Sequence, residues 1–400
     1  MKSLNELYRI GPGPSSSHTL GPQRACRLFL ERYPDADHFE VELFGSLSLT
    51  GKGHLTDAII IKTMEPKNCN VFFKQKDGLK HPNTMTLHAF DKDHNEIGEM
   101  TVYSIGGGAI RVEGEKSSEG KEVYPHRFLK NILEFCDEKN YSLWQYVDHF
   151  DPLQDYMEVI MDQMIATVDS GLSKEGVLPG KLNLERIGKM LKHKADEAKS
   201  PAEKEKLLLC AYAYSASEEN AGGSITVTAP TLGSSGIMPA LVYYYHKDLG
   251  FSREKICNGL KIAGLFGNLI KENATISGAQ GGCQAEIGAA VAMGAAMVAY
   301  LRDCSNYEIE YAAEIGIEHH LGLTCDPVGG YVMIPCIERN AVGVLRSVDA
   351  AILAQTISNI REHKVSFDMV VNTMNYTGRK IAIELKETSL GGLATVVPLR

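Results

Sequence analysis

The stretch Ser277-Gly278-Ala279-Gln280-Gly281-Gly282-Cys283-Gln284-Ala285-Glu286 runs directly into a long apolar segment, residues 287–301. Small residues thus lead into a cysteine, and the apolar segment predicts a buried helix. A helix needs about 20 apolar residues to span a bilayer comfortably, and this segment is shorter, so we interpret it as a core helix. Because the start of a helix favours an anion, we expect Cys283 to be a thiolate at this position.

Two more cysteines downstream lie in similar settings. Cys325 and Cys336 each stand within two residues of a proline, which predicts loops or helix starts from which thiolates can point at a shared ion. The pattern indicates a metal site with three thiolates. It could be zinc, with His319 or His320 as the fourth ligand, although the CxxC pairs usual in structural zinc sites are missing. It could also be an iron–sulfur cluster, which tolerates widely spaced cysteines.

The length and composition of the chain are those of a globular protein with about two domains. It has 400 residues, of which 44% are hydrophobic and 23% are charged. A formal net charge of −9 argues against nucleic acid or an anionic membrane as a partner. The N-terminus has no apolar core for a signal peptide, and nine cysteines, an odd number, do not suit a secreted disulfide framework. We therefore expect a cytoplasmic protein.

The first 150 residues show mixed helix and strand patterns, and the rest is mainly helical. We predict a helix over residues 21–32, strands over 39–49, 58–61 and 70–73, and a hairpin over 86–103 that turns at 91–95. Apolar residues at helical spacing then predict helices over 126–138, 143–150, 153–170, 184–198 and 202–217. A boundary near residue 150 gives an α+β N-terminal domain (1–150) followed by a mostly α-helical domain (151–400).

Two glycine-rich stretches are ambiguous. Residues 45–53 faintly suggest a phosphate-binding loop, but the gap between the glycines is one residue too long, and Gly53 replaces the Ser or Thr that would hold magnesium. Residues 220–236 contain small polar residues whose backbone amides could hold a carboxylate or phosphate. Small residues also let helices approach closely, and the pattern does not separate these two readings.

Short blocks along nearly the whole chain resemble the iron–sulfur-dependent L-serine dehydratases, also called L-serine ammonia-lyases. In the first domain they are Gly13-Pro14-Ser15-Ser16-Ser17-His18-Thr19, residues 45–54 (GSLSLTGKGH), 81–83 (HPN) and 104–108 (SIGGG). In the second they are 175–180 (EGVLPG), 227–231 (VTAPT), 236–240 (GIMPA), 273–279 (NATISGA), 282–284 (GCQ), 325–327 (CDP) and 335–340 (PCIERN). The blocks follow the order found in that family.

The resemblance implies an α+β domain followed by a helical catalytic domain that holds a [4Fe-4S] cluster on Cys283, Cys325 and Cys336. It implies a lyase of amino-acid catabolism that dehydrates L-serine to pyruvate and ammonia, with an open iron as Lewis acid. Members of the family are usually homodimers, so we expect a homodimer. Pyridoxal phosphate supports the same reaction in other enzymes, and we find no convincing lysine motif for it.

The same blocks carry the residues predicted to act on the substrate. We predict His54 as the base that removes the α-proton, with His18 second, because an imidazole titrates near neutral pH. A hydrogen-bonded structural role is the alternative for each histidine. Asp57 is predicted to orient or charge-stabilise a histidine. The predicted substrate-binding residues are polar members of these blocks, of which the first four would hold the carboxylate or ammonium group: Ser15, Ser16, Ser17, Thr19, Asn273 and Ser277.

The C-terminus differs from that of some family members. Some relatives end in a cysteine that reaches the cluster as a fourth ligand, whereas this chain ends Thr395-Val396-Val397-Pro398-Leu399-Arg400. We therefore expect that removal of residues 398–400 leaves iron content unchanged.

Two other functions are open. One is an iron–sulfur redox sensor or electron carrier, which would not need the polar loops of the first domain. The other acts on threonine or a similar amino acid, since one methyl group gives only about 1–3 kcal/mol of discrimination.

Overall fold

Alternating apolar residues form the sheet of the N-terminal part. The structure is a computed structural model that describes residues 1–115 and 120–397. Its strands are β1 (Ile10–Pro12), β2 (His38–Gly45), β3 (Asn68–Phe73), β4 (Asn83–Phe90), β5 (Glu96–Gly106), β6 (Ala109–Val112) and β7 (Ile225–Val227). Five of them form one sheet in the order β3-β2-β4-β5-β6, in which β2 and β3 are parallel and the other neighbours are antiparallel.

Three helices accompany this sheet: α1 (Gly21–Arg32), α2 (Ser46–Thr50) and α3 (Thr56–Met64). Phe39 and Val41 of β2 are buried in one apolar core with Phe29 of α1 and Ile60 of α3. Successive strand residues point to opposite faces, so alternate residues of β2 reach this core. The sheet and its helices therefore share a core of their own.

Most of the predicted elements of this part are confirmed. They include the helix over 21–32, the strand over 70–73 and the hairpin that turns at 91–95. The strand predicted over 39–49 ends at Gly45, where α2 begins. The strand predicted over 58–61 is wrong, because these residues lie inside α3. Ile60 and Met64, one helical turn apart, are buried while Ile61 is exposed, so packing at helical spacing outweighs the β-propensity of the isoleucine run.

The remainder of the described chain is mostly helical, as predicted. The helices are α4 (Leu129–Lys139), α5 (Leu143–Phe150), α6 (Gln154–Ser173), α7 (Gly188–Glu197), α8 (Pro201–Ala221), α9 (Ile237–Tyr243), α10 (Arg253–Asn273), α11 (Gly278–Gly281), α12 (Ile287–Leu301), α13 (Asn306–Glu318), α14 (Cys336–Ile357), α15 (Phe367–Lys380) and α16 (Leu393–Val396). The predicted helices α4 to α8 are confirmed, with ends shifted by a few residues.

The apolar helix α12 lies at the centre of the helical part and packs against α10, α13 and α14. All of its residues except Tyr300 are buried. Its small residues permit close approach, since a Cβ on Gly294 would lie 2.6 Å from the hydroxyl of Ser347 on α14. The segment Cys283–Leu301 is long and apolar enough to cross a bilayer, but 89% of it is buried inside the protein. The prediction of a buried core helix is confirmed.

Backbone pairing joins the two parts of the chain. β1 pairs antiparallel with β7, with Ile10 opposite Val227. The N-terminal residues Leu4 and Tyr8 are buried in the core of the helical part, and so is Tyr146 of α5. The domain boundary near residue 150 stays a prediction, although α4 and α5 share their core with the later helices.

Candidate active site

Three cysteines from separate segments of the helical part lie close together. Cys283 follows Gly282, whose φ of +74° is in the left-handed region that glycine adopts readily, and it begins a short turn before α12. Cys325 lies on an extended segment paired with Lys386, and Cys336 is the first residue of α14. Cys325 and Cys283 share a hydrogen bond, and Cys336 interacts electrostatically with Cys283. All three therefore lie on loops or at helix starts, as predicted.

Cys283 is the thiol of this group that ionises most readily. Its hydrogen bond with Cys325 and the charge of Arg339 lower its pKa to about 6, in spite of burial. The N–H of Ile287 at the start of α12 makes the smallest contribution, so the helix start is a minor cause. The same hydrogen bond, with burial, raises the pKa of Cys325, and burial raises that of Cys336. A thiolate at Cys283 is thus stabilised mainly by a thiol and a guanidinium.

Two histidines of the N-terminal part, His18 and His54, stack against each other. The rings of His18 and His54 lie 4.2 Å apart at 21°. His18 comes from a π-helical turn, Ser16–Leu20, that the side chain of Ser15 caps, and His54 comes from the loop between α2 and α3. Burial lowers the pKa of His54 to about 4, and burial with the neighbouring His54 lowers that of His18. Both imidazoles are therefore neutral near pH 7 and can accept a proton.

Hydrogen bonds assign the tautomer of each ring. His54 Nδ1 lies 2.9 Å from the main-chain oxygen of Thr50, which only accepts, so Nδ1 carries the proton and Nε2 has the lone pair. The hydroxyls of Ser46 and Thr50 donate to the main-chain oxygens of Glu387 and Ser46. Both hydroxyls must therefore accept from His18 Nε2, at 3.1 and 2.9 Å, which leaves the lone pair of His18 on Nδ1.

Glu387 lies between the histidines and the cysteines. Its Oε1 is 3.5 Å from His18 Nδ1 and 3.7 Å from His54 Nε2. Its Oε2 is buried with no hydrogen-bond partner among the described residues. Burial is the main cause that raises the pKa of Glu387 well above the usual range, and the charges of Glu286 and Cys283 add to it. The main-chain N–H of Ala279 acts in the opposite direction, because it favours the charged form. A buried carboxyl group is thus shared by the two halves of the site.

A second buried carboxyl group, Glu286, lies on the cysteine side. Its Oε1 accepts a hydrogen bond of 2.8 Å from Thr231, and its Oε2 lies 3.9 Å from the thiol of Cys325. Burial and the charge of Cys283 raise its pKa to about 7. Thr231 belongs to the glycine-rich stretch 220–236, whose Leu232 N–H donates to Ser16 Oγ at 2.7 Å. This stretch therefore connects the serine turn to the cysteine side of the site.

The predicted serine turn is present, but several of its hydroxyls are already engaged. Ser15 Oγ accepts from the N–H of His18 at 3.2 Å and lies 3.4 Å from His18 Nδ1. Ser16 Oγ accepts from Leu232, and Thr19 Oγ1 donates to the main-chain oxygen of His54 at 3.0 Å. Ser17 is buried in the same turn. These hydroxyls mainly hold the histidines and the loops in place.

Of the other predicted residues, Ser277 lies in the site, whereas Asn273 and Asp57 lie outside it. Ser277 is buried, its Oγ has no partner among the described residues, and it lies against Gly106 at the end of β5. Asn273 instead donates to the main-chain oxygen of Arg127 at 2.7 Å. Asp57 pairs with Lys52 Nζ at 2.5 Å, and its Oδ1 accepts from the N–H of Ala58 at 3.0 Å. No described contact joins Asp57 to a histidine; the structure brings Glu387 there instead.

The zinc alternative and the chain end were also predicted from sequence. His319 is exposed, and its Nδ1 donates to the main-chain oxygen of Ile315 in α13; that of the more buried His320 donates to Gly316 of the same helix. Neither appears with the cysteines in a compact group of ligand atoms among the described residues.

Near the chain end, the N–H of Leu393 donates to Asp326 Oδ2 at 2.8 Å. The expectation for residues 398–400 lies outside the described residues.

Sequence reasoning assigned no role to Glu387, Glu286 or Arg339. Glu286 and Arg339 each follow a cysteine by three residues, Cys283 and Cys336, a spacing that can bring side chains to one side of a helical turn. That spacing was a usable signal. Glu387 stands 62 residues after Cys325, and no local pattern marks it.

The chain is similar to known proteins along nearly its whole length. The family model described as serine dehydratase beta chain matches residues 3–71 and 60–115, and that of the serine dehydratase alpha chain matches residues 110–394. An L-serine dehydratase of Streptomyces coelicolor is 36% identical over 98% of both chains. L-serine dehydratase 1 of Escherichia coli is 36% identical over 99% of both, and an L-serine dehydratase of Helicobacter pylori is 35% identical over 98% of both.

Proposed function

The chain belongs to the serine dehydratase family, and from that premise we propose that it is an L-serine ammonia-lyase, which converts L-serine to pyruvate and ammonia. One observation carries the proposal. A pair of neutral histidines from the N-terminal part and three cysteines from the helical part meet around Glu387. Such a site can bind a small amino acid and remove a proton from it in a place that water does not reach freely.

We propose that Cys283, Cys325 and Cys336 hold a [4Fe-4S] cluster. Two sulfurs on one zinc ion lie about 4 Å apart. The three thiols are not among the groups of described ligand atoms that lie within 4.8 Å of one another. Because Cys283 and Cys325 share a hydrogen bond, the case for the cluster rests on the kind of ligand, three thiolates, and not on their spacing. Arg339, which interacts with all three cysteines, supplies a positive charge beside the thiolates. Neither His319 nor His320 joins the cysteines among the described residues, so three thiolates with no fourth protein ligand fit a cluster with one open iron better than a structural zinc ion.

The chain's own residues account for the proton transfer. His54 Nε2 has a free lone pair and takes the α-proton, while the bond from Nδ1 to Thr50 fixes the ring. When bound, the cluster supplies a Lewis acid at an open iron that assists departure of the β-hydroxyl. Loss of the α-proton and of hydroxide gives aminoacrylate, which tautomerises to the imine. Water then hydrolyses the imine to pyruvate and ammonia.

The test is an anaerobic assay of purified protein reconstituted with iron and sulfide. L-Serine should yield pyruvate and ammonia in equal amounts, and protein kept without iron should yield neither. L-Threonine, which would give 2-oxobutyrate, measures the choice of substrate in the same assay. Absence of pyruvate from protein that has bound its iron would refute the proposed function. The homodimer and the cytoplasmic location are also proposals, and light scattering of the purified protein tests the first.

A further inference from the structure

Three hydrogen-bond acceptors converge in the buried space between the two parts of the site. They are His18 Nδ1, His54 Nε2 and Glu387 Oε1, which we call the acceptor triad; these ligand atoms lie within 4.8 Å of one another. Both ring nitrogens carry lone pairs, for the reasons given above. Only Ser15 Oγ, at 3.4 Å from His18 Nδ1, is a described side-chain hydroxyl within hydrogen-bond distance of the triad. Burial favours the neutral form of Glu387, whereas a cation placed among these three atoms would favour its carboxylate form and attract the lone pairs of both rings as well.

We propose that the acceptor triad is the subsite for the α-ammonium group of the amino-acid substrate, with the carboxylate of Glu387 as its counter-ion. The inference rests on the proposed function and deepens it. An ammonium group has three N–H donors and a full positive charge. The carboxylate and His18 Nδ1 can accept two of these donors. His54 Nε2, on the neighbouring ring, then faces the Cα–H, because N and Cα are only about 1.5 Å apart.

The serine turn is a poorer place for the ammonium group. Ser16 Oγ and Thr19 Oγ1 are engaged with Leu232 and the main chain of His54, and a hydroxyl brings no negative charge. Transfer of an ammonium ion out of water is costly unless a charge of opposite sign meets it. The site offers two buried carboxyl groups for that purpose.

Of these two, Glu387 is the one that faces the histidines, since its Oε1 lies 3.5 Å from His18 Nδ1 and 3.7 Å from His54 Nε2. Both oxygens of Glu286 have neighbours of their own, the hydroxyl of Thr231 and the thiol of Cys325. Glu387 has an Oε2 without a hydrogen-bond partner among the described residues. Its main chain is fixed on both sides: the N–H donates to Cys325 O at 2.6 Å, and the oxygen accepts from Ser46 Oγ at 2.6 Å. These bonds hold Glu387 at a φ of +58°, in the left-handed region, and so aim its carboxylate at the histidines.

The experiment compares two ligands that differ only in the group in question. L-Alanine has the α-ammonium group and L-lactate has a hydroxyl in its place, and neither has a β-hydroxyl to eliminate. Their dissociation constants are measured by anaerobic calorimetry on iron-loaded protein. Wild type should prefer alanine. In Glu387→Gln, alanine should bind about 10–100-fold more weakly, the range expected for loss of a charged hydrogen bond, while lactate stays within about threefold.

Matched variants separate this role from a merely structural one. Glu384→Gln removes an exposed carboxylate from the same segment and should leave both dissociation constants unchanged. Glu387→Asp keeps the charge and should retain part of the preference for alanine. Iron content is measured for every variant, so that loss of the cluster is recognised as such.

Several results would overturn the inference. One is an equal weakening of alanine binding and lactate binding in Glu387→Gln at normal iron content. Another is wild-type protein that binds alanine no more tightly than lactate, whether it binds both or neither. A selective loss of alanine in Glu286→Gln instead would assign the ammonium group to that residue. A divalent ion found beyond the cluster iron and lost in Glu387→Gln would make the triad a metal site. If wild type forms no pyruvate from L-serine but the preference still disappears in Glu387→Gln, the proposed function fails and the ammonium subsite stands.

Discussion

Ser46 Oγ donates a hydrogen bond of 2.6 Å to the main-chain oxygen of Glu387, 341 residues further along the chain. The same hydroxyl accepts from His18, so one small side chain fixes both a histidine and the carboxylate that faces it. The adjoining N–H of Glu387 donates to the oxygen of Cys325. The geometry of the proposed site therefore depends on the contact between the N-terminal sheet domain and the C-terminal segment.

The three cysteines should be necessary for iron binding. Replacement of Cys283, Cys325 or Cys336 by Ala should abolish both the brown colour and the activity of anaerobically reconstituted protein, which should otherwise hold about four irons per chain. Cys26→Ala is the control, because Cys26 is buried in the separate core of the sheet domain. Stable binding of one zinc per chain, without visible absorption, would contradict the assignment.

His54 should be the base. His54→Ala should lower turnover by about 10²–10⁴-fold, the usual contribution of general base catalysis, because the free lone pair on Nε2 is lost. Iron content should be unchanged, since His54 belongs to the other part of the site. The measurement is the turnover number beside an iron determination on the same sample. Near-normal turnover would transfer the role to His18.

Asp57 should not matter for turnover. Its carboxylate pairs with the exposed Lys52, a surface ion pair worth at most about 1 kcal/mol of stability. Asp57→Asn should therefore keep turnover within about twofold of wild type, as measured in the pyruvate assay. A loss comparable to that of His54→Ala would show that Asp57 does orient a histidine, as first predicted from the sequence.

The stability that His54 contributes should fall as the pH is lowered from neutrality. Burial lowers the pKa of His54 to about 4, below the usual value of about 6.5 in the unfolded chain. Between these values the unfolded state binds the extra proton, so the stability from neutral His54 is fully present above pH 6.5 and is lost toward pH 4. Urea unfolding of anaerobic protein at pH 7 and pH 5 measures the effect. Removal of this titrating group in His54→Gln should shift the free energy of unfolding at pH 5 upward relative to that at pH 7, compared with wild type; an unchanged pH dependence would contradict the pKa shift of His54.

Periodic patterns were sufficient to predict most of the fold but only part of the site. The buried helix α12 and the hairpin of β4 and β5 follow from residue spacing, and the loop or helix-start positions of the three cysteines follow from the glycines and prolines beside them. The isoleucine run of α3 was assigned to a strand, because its helical character depends on packing of Ile60 and Met64 against the sheet. Glu387 could not be found from spacing, because the pairing of Lys386 with Cys325 that carries it into the site is a long-range tertiary contact.

The central claim is that the substrate meets a cluster held by Cys283, Cys325 and Cys336 opposite the histidine pair. Mössbauer spectra of ⁵⁷Fe-reconstituted protein, recorded anaerobically with and without L-serine, test it most directly. Three cysteines leave one iron of a [4Fe-4S] cluster without a thiolate, so about a quarter of the iron signal should change when serine binds. A spectrum that stays the same at saturating L-serine would contradict the account, because the substrate would then not reach the cluster.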